Sequence, residues 1–311
     1  MVIALCVAIF LFLVLAFGGW FVFYKGCVRW KDMPWLIQEE VEKTKYKKYS
    51  ALISNSHNWL CDHAAKDVYT QSRDGLRLHA LWVSAENARG TVLFAHGYRS
   101  TYLVDFGGAM DYYHRRGMNL LIPDQRSHGK SEGRYITFGV KESEDMLCWL
   151  EYHNKNLGDF PVLLSGMSMG ASTMMYLADR DLPENVRGMI VDCGFSSPYE
   201  ILSSVFRSVI HLPGWLCLWA TNIFTKIFAG FTLKEKDSRV TLQNNKLPII
   251  MVHGKDDDFV PCSMTEEGYD ACTGDKQKLL VDGAGHGLSF LVDKETYIAA
   301  IDAFLEKNFN E

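Results

Sequence analysis

No CxxC pair occurs among the eight cysteines, at positions 6, 27, 61, 148, 193, 217, 262 and 272, and none stands at ligand-like spacing from a histidine. That excludes a zinc ribbon or a thioredoxin-like dithiol, and leaves the thiols to be read as small hydrophobes in a reducing compartment. An H-E-x-x-H pattern is missing too, so no metal and no cofactor is expected. Lys and Arg, 32 against 37 Asp and Glu for a net charge of -5, never gather into a sustained basic field. A general nucleic-acid binder is thereby excluded, and the expected partner is a small molecule. No internal repeat is evident, and nothing in the sequence speaks to oligomeric state.

Charge is absent altogether from Val2 to Tyr24, a run of 23 residues. At 1.5 Å per residue such a helix is about 35 Å long, enough for a hydrocarbon core near 30 Å. A signal peptide would carry Lys or Arg ahead of the run; none is present, and Ala16-Phe17-Gly18 is a poor cleavage site. The run therefore reads as a membrane anchor. Lys25, Arg29 and Lys31 follow it, with Trp20, Trp30 and Trp35 near the interface. By the positive-inside tendency the rest of the chain is expected in the cytoplasm, an orientation resting on one flank. Pro34 to Lys66 is polar and mixed in charge, a partly helical lead-in.

From Asp67 the pattern changes to strands. Asp67–Gln71 and Leu76–Val83 flank Ser72-Arg73-Asp74-Gly75, whose Asp-Gly predicts a hairpin. Thr91–Ala95 is a short continuous apolar run expected of a strand covered on both faces, Asn119–Pro123 is expected to be another buried strand, and Gly188–Asp192, Leu247–His253 and Lys278–Asp282 are expected to be strands. Helices are expected over Leu103–Arg116, Glu142–Asn154, Thr265–Cys272 and Lys294–Phe309 between or after them. Alternating strands and helices predict an α/β fold with a mostly parallel central sheet flanked by helices.

The densest chemistry lies in Phe160 to Leu177. Gly166-Met167-Ser168-Met169-Gly170 is a G-x-S-x-G pattern between an apolar strand, Pro161–Leu164, and a helix start, Ala171–Leu177. A serine on so sharp a turn holds its Oγ clear of the sheet, and small residues two before and two after let the turn close. The Met169 N–H then faces the same site and can receive developing negative charge. This stretch resembles the nucleophile elbow of the α/β-hydrolase family.

That resemblance extends over roughly residues 67–309. His96-Gly97 after Thr91–Ala95 is similar to the family's strand-end H-G motif, which implies the Tyr98 N–H as a second oxyanion donor and His96 as a loop brace. His253-Gly254-Lys255-Asp256-Asp257-Asp258-Phe259-Val260-Pro261 resembles H-G-x-x-D-x-x-V-P and implies Asp257 as the acid. Gly283-Ala284-Gly285-His286-Gly287 resembles the late histidine loop and implies His286 as the base. Asp124-x-Arg126-x-His128-Gly129-x-Ser131-x-Gly133 is similar to a structural loop in which Asp124 and Arg126 hold a turn, with Ser127 replacing the usual first glycine. The implied chemistry is acyl transfer to water by Ser168, Asp257 and His286, with ester, peptide and thioester substrates or acyl transfer all open, and a non-catalytic membrane-tethered scaffold as the rival.

Ile201 to Lys246 stands where the family often inserts a cap. Phe206, Trp215, Trp219, Phe224, Phe228 and Phe231 there either line an acyl pocket or form the cap's own core. The expected organisation is an anchor at 1–25, a juxtamembrane lead-in at 26–66, hydrolase core at 67–200, a small helical cap at 201–246 and hydrolase core again at 247–311. An anchor beside such a site points to a lipid-derived or otherwise apolar ester.

Overall fold

The computed structural model of the protein describes residues 1–30, 47, 50–211 and 214–309. Most of the charged lead-in stretch lies outside the described residues. The apolar run forms α1 (Val2–Cys27), and α2 (Ser50–Asp62) precedes the sheet. The strands are β1 (Lys66–Gln71), β2 (Arg77–Val83), β3 (Gly90–Ala95), β4 (Met118–Pro123), β5 (Val162–Met167), β6 (Val186–Asp192), β7 (Ile249–Gly254) and β8 (Lys276–Val281). They form one sheet in the order β1-β2-β4-β3-β5-β6-β7-β8. The Asp-Gly turn folds β1 back on β2, β2 pairs antiparallel with β4, and every later pairing is parallel.

Crossovers between parallel strands are helical because only a long connection can return the chain to the same sheet end. They are α3 (Tyr102–Arg115), α4 (Val140–Asn156), α5 (Met169–Met175) and α9 (Cys262–Ala271). Local chemistry sets their starts: Thr101 caps α3 by accepting from the Val104 N–H, and the Glu142 carboxylate takes the N–H groups of Thr137 and Gly139 at the start of α4. One face of the sheet is covered by α2, α3, α10 (Ser289–Val292) and α11 (Lys294–Phe309), through Leu60, Phe106, Met110, Phe290 and Phe304. The opposite face is covered by α4 and α5, through Met146, Trp149 and Met174. A central strand such as β3 is buried at all of its positions, which is why it reads as a continuous apolar run.

The cap sits over the carboxyl ends of the strands. It comprises α6 (Pro198–Val205), running into a π-helical turn at Phe206–Ile210, then α7 (Trp215–Phe224) with a second π turn at Thr225–Ala229, and α8 (Ser238–Thr241). Ser197 caps α6 by accepting from the Glu200 N–H, with Pro198 in the first helical position. Its apolar side chains join those of α1 in a third cluster that includes Phe23, Cys27, Phe138, Met169, Ile201, Phe206 and Leu218.

Residues 26–30, placed with a lead-in by the sequence reading, are docked on the core. Val28 bridges Tyr135, the Ile136 N–H donates to Cys27 O at 2.7 Å, and the Arg29 guanidinium donates to the carbonyls of Ser131 and Gly129 at 2.7 Å each. Each of these contacts ends on a backbone group, which carries no side-chain periodicity for a sequence reading to detect.

Candidate active site

The strand β5 ends and α5 begins at Ser168, whose φ of 54° and ψ of -117° lie far from either element. A non-glycine residue there is strained, and the surrounding chain must enforce it. Two glycines make that possible. A Cβ on Gly166 would overlap the Gly170 backbone, and a Cβ on Gly170 would overlap the Ala95 carbonyl at the end of β3. The Ser168 N–H donates to Asp192 O at 2.8 Å, tying the elbow to β6.

Ser168 Oγ lies 2.9 Å from His286 Nε2, and His286 Nδ1 lies 2.7 Å from Asp257 Oδ2. The partners assign the tautomer: Nδ1–H donates to the carboxylate, leaving Nε2 to accept from the serine hydroxyl. Asp257 Oδ1 accepts from the N–H groups of Phe259 and Val260, both at 2.9 Å. Burial pushes the Asp257 carboxyl up, but hydrogen bonds from His253 and His286 outweigh it and hold the group well below the usual carboxylate range. Asp256 and Asp258 beside it are exposed. The Phe259 ring stands edge-on to His286, with centroids 5.2 Å apart.

The loop after β3 faces the elbow, since a Cβ on Gly97 would lie 3.4 Å from that of Ser168. Its backbone is pinned on both sides of Tyr98. The Gly97 N–H donates to Asp105 Oδ2 at 2.6 Å, and the Arg99 N–H donates to His128 Nε2 at 3.1 Å. His96 braces the same loop: its Nε2 accepts from the Gln125 N–H at 3.1 Å, and its carbonyl accepts from the Gln125 side chain. Burial, reinforced by neighbouring His96, pushes His128 well below its ordinary value, so the ring stays neutral and Nε2 remains an acceptor.

Asp124 and Arg126 anchor the adjoining loop to the hairpin and to α4. Asp124 Oδ2 pairs with His79 Nδ1 at 2.7 Å and accepts from the Lys130 N–H at 2.8 Å. Arg126 clamps Asp145 through two bonds of 2.6 Å and also reaches Asp74. Ser127, where the resembled loop has glycine, adopts φ 64° and is held by Oγ donating to Tyr135 O at 2.9 Å.

Above Ser168 opens a cavity of about 280 Å³, walled by Phe21, Val22, Lys25 and Gly26 of α1, Tyr98, Phe138 and Phe195 of the core, and Ile201, Leu202, Val205 and Phe206 of the cap. The cap aromatics divide between the two readings left open by the sequence. Of the cap residues named from sequence only Phe206 lines this cavity; Trp215 and Trp219 line a separate hollow beside Tyr199 and Lys234. Phe224 and Phe228 pack on Phe23, with centroids 6.3 and 5.7 Å away, and Phe231 is buried in the cap. The physical reason is α1 itself, which occupies the inward face of α7 and turns the tryptophans outward.

The sequence reading assigned no role at the site to Asp105, to His253 or to the α1 residues beside the cavity. Asp105 holds the loop that carries Tyr98; its signal is an acid in the first turn of the helix after H-G, where a helix N-terminus favours a carboxylate. His253 lies 3.1 Å from Asp257 Oδ2, its Nδ1 accepting from Thr265 Oγ at 2.7 Å. Val22 and its neighbours on α1 gave no signal beyond being apolar. Among the described residues, the grouping with metal-ligand chemistry is Cys193, Asp257 and His286, whose ligand atoms lie within 4.8 Å of one another. Two of these already serve Ser168, and burial pushes the Cys193 thiol well up, away from the thiolate a metal needs.

An eight-stranded, mostly parallel sheet between helices, with a strand-to-helix elbow after β5 and a helical cap, is the α/β-hydrolase fold. A family model described as serine aminopeptidase, S33, matches residues 86–237. The chain is 27% identical over 241 residues to the uncharacterized protein YqkD of Bacillus subtilis, covering 76% of this chain and 77% of that relative. It is 23% identical over 230 residues to YfhR of Escherichia coli K12, covering 72% and 74% respectively. Among solved structures it is similar to the esterase Pf2001 of Pyrococcus furiosus, with a TM-score of 0.66, 22% identity, and coverage of 81% of this chain and 96% of that one. The last likeness speaks for the fold.

Proposed function

We propose that the protein is a serine hydrolase that cleaves carboxylic esters with an apolar, lipid-derived acyl group. The observation that carries this reading is the hydrogen-bonded line Ser168–His286–Asp257 at the floor of an apolar cavity. Ser168 Oγ attacks the ester carbonyl while His286 Nε2 takes its proton, and the same imidazolium then protonates the leaving alcohol. Asp257, held ionised by its neighbours, stabilises the imidazolium. The N–H groups of Met169 and Tyr98 receive the oxyanion, and a water activated by His286 then hydrolyses the acyl-enzyme.

The family description raises an aminopeptidase as the rival. Such an enzyme must hold a substrate ammonium, for which a carboxylate in the pocket is the fitting partner. The charged side chain lining this cavity is Lys25, of the opposite sign. We read α1, with mean hydropathy 2.9 over its most apolar window and 6% of that window buried, as a membrane anchor, and Lys25 and Arg29 after it favour a cytoplasmic location for the rest of the chain.

The test is labelling of the detergent-solubilised full chain by a fluorophosphonate beside S168A and H286A, followed by p-nitrophenyl esters of increasing acyl length. Labelling and turnover lost in both variants, with preference for longer chains, is the expected result. An unlabelled folded protein would leave a non-catalytic scaffold.

A further inference from the structure

Where α1 meets α7 fixes a depth. A Cβ on Gly19 would lie 2.5 Å from that of Ala220 and 2.8 Å from the Thr221 nitrogen, so the two helices touch backbone to backbone. Thr221 Oγ1 lies 3.3 Å from Gly19 O, and a Cβ on Gly18 would lie 3.4 Å from Cys217 Sγ. Gly19 stands five residues before Tyr24 on α1, about 7.5 Å along the axis at 1.5 Å per residue. A helix that crosses the bilayer up to Tyr24 therefore carries α7 down with it, below the level of the headgroups.

The surface of α7 suits that depth. Its ten residues, WLCLWATNIF, contain no charge. Trp215, Leu216, Trp219 and Ile223 are 60%, 47%, 58% and 41% exposed, and Ile227 and Phe228 in the next turn are 67% and 53% exposed. So large a contiguous apolar patch is unusual on a surface facing water. It continues the exposed apolar side of α1, where Phe17, Trp20 and Phe21 are 64%, 41% and 47% exposed. Indole rings favour the boundary between hydrocarbon and headgroups, while exposed Lys226 and Arg207 on the cap are long enough to reach phosphates.

We propose that α7 is submerged in the lipid bilayer beside α1, so that the cavity between α1 and α6 opens to the membrane and takes a single-chain acyl ester directly from it. The proposal deepens the ester-hydrolase reading and rests on it for the substrate. Phe21 and Val22 on one side and Leu202, Val205 and Phe206 on the other guide the chain toward Ser168, and Lys25 sits at the level of a polar headgroup. A volume of about 280 Å³ has room for one acyl chain. The occupant of the α7 face is lipid, not a second copy of the chain, because the helix to which it is fused is itself a membrane span.

Two readouts on the full chain in nanodiscs test this. In the first, tryptophan fluorescence is quenched by phospholipids with brominated acyl chains, in wild type and in W215F/W219F. The expected result is that the double variant loses a bromolipid-quenched share of the emission. An unchanged quenched share overturns the proposal, as does a dimer in nanodiscs that the double variant dissociates. In the second, W215S/W219S is assayed on water-soluble p-nitrophenyl acetate and on a monoacylglycerol embedded in vesicles. Acetate turnover should stay at the wild-type level, while vesicle hydrolysis falls roughly tenfold as two interfacial anchors are lost. Equal loss on both substrates, or none on either, overturns the proposal. The quenching readout stands even if Ser168 proves inert, so failure of the depth argument and failure of the hydrolase reading are separately visible.

Discussion

Replacing Asp105 should separate turnover from stability. Its carboxylate accepts from the Gly97 N–H at 2.6 Å and from Ser100 Oγ at 2.7 Å, and so fixes the backbone that presents the Tyr98 N–H to the site. Asparagine keeps the shape and an acceptor for Gly97, while Ser100 can turn to accept. What it loses is the charge: a hydrogen bond to an ionised group contributes about 1.5–3 kcal/mol and a neutral one about 0.5–1.5. The difference, about 1–1.5 kcal/mol, predicts a fall in kcat of roughly 5- to 10-fold if it is felt in the transition state. D105A removes the acceptor altogether, and misplacing one oxyanion donor costs on the order of 100-fold. KM for a long-chain ester should hold, since Asp105 does not line the acyl cavity. The stability of D105N should move the other way. Burial pushes the Asp105 carboxyl above its ordinary value despite the bonds from Gly97 and Ser100, so folding opposes its ionisation. That penalty is absent below the unfolded pKa and grows as pH rises toward the folded one, and a neutral amide removes it. The assay pairs kcat and KM on p-nitrophenyl octanoate with thermal unfolding at pH 7. A D105N enzyme with wild-type kcat, or one that melts well below wild type, would refute the reasoning.

The buried Asp192 carboxyl is pushed by burial from the ordinary 3.8 to about 6. Stability is therefore lost as pH rises from the unfolded value through the folded one, on the order of 3 kcal/mol in all. D192N should melt higher than wild type at pH 7 and converge with it near pH 3.5; parallel melting profiles across that range would count against it. For the helix contact, G19V should force α1 away from α7, because its new side chain meets Ala220 and the Thr221 backbone. Hydrolysis of long-chain esters should drop at least ~10-fold, the 1.4 kcal/mol step, while acetate turnover is largely kept. Similar losses on both esters would show that the contact shapes the whole site.

The loops at Ser168, Asp257 and His286 were legible because each follows an apolar strand and carries glycines where the chain must turn sharply, so motif and context agree. The hairpin was legible from Asp74-Gly75. The side of the cap that meets substrate was not. Residues 215–224 are apolar on nearly every face, and periodicity cannot say which face turns inward when lipid and protein core favour the same side chains. The docking of α1 was hidden for a different reason: Gly19 contributes by having no side chain, and the carbonyls of Lys25, Gly26 and Val28 receive bonds from Tyr98 and Arg99 that leave no trace in composition. Asp105 was hidden by distance, eight residues from the glycine it holds, and the contact of His253 with Asp257 by the histidine's place inside a strand.

Tyr98 faces two ways: its N–H belongs to the loop beside Ser168, and its hydroxyl donates to Gly26 O at 2.8 Å at the foot of α1. The helix α1 is thus a structural rib of the fold. A soluble version begun after Val28 would be expected to fold, since the sheet and its two helical layers do not draw on α1, yet it would be a different catalyst. One wall of the cavity above Ser168 would be open to water and the loop carrying Tyr98 would have lost its outer strut, so kinetic constants measured on such a truncated chain would describe a wider and looser site than that of the full chain.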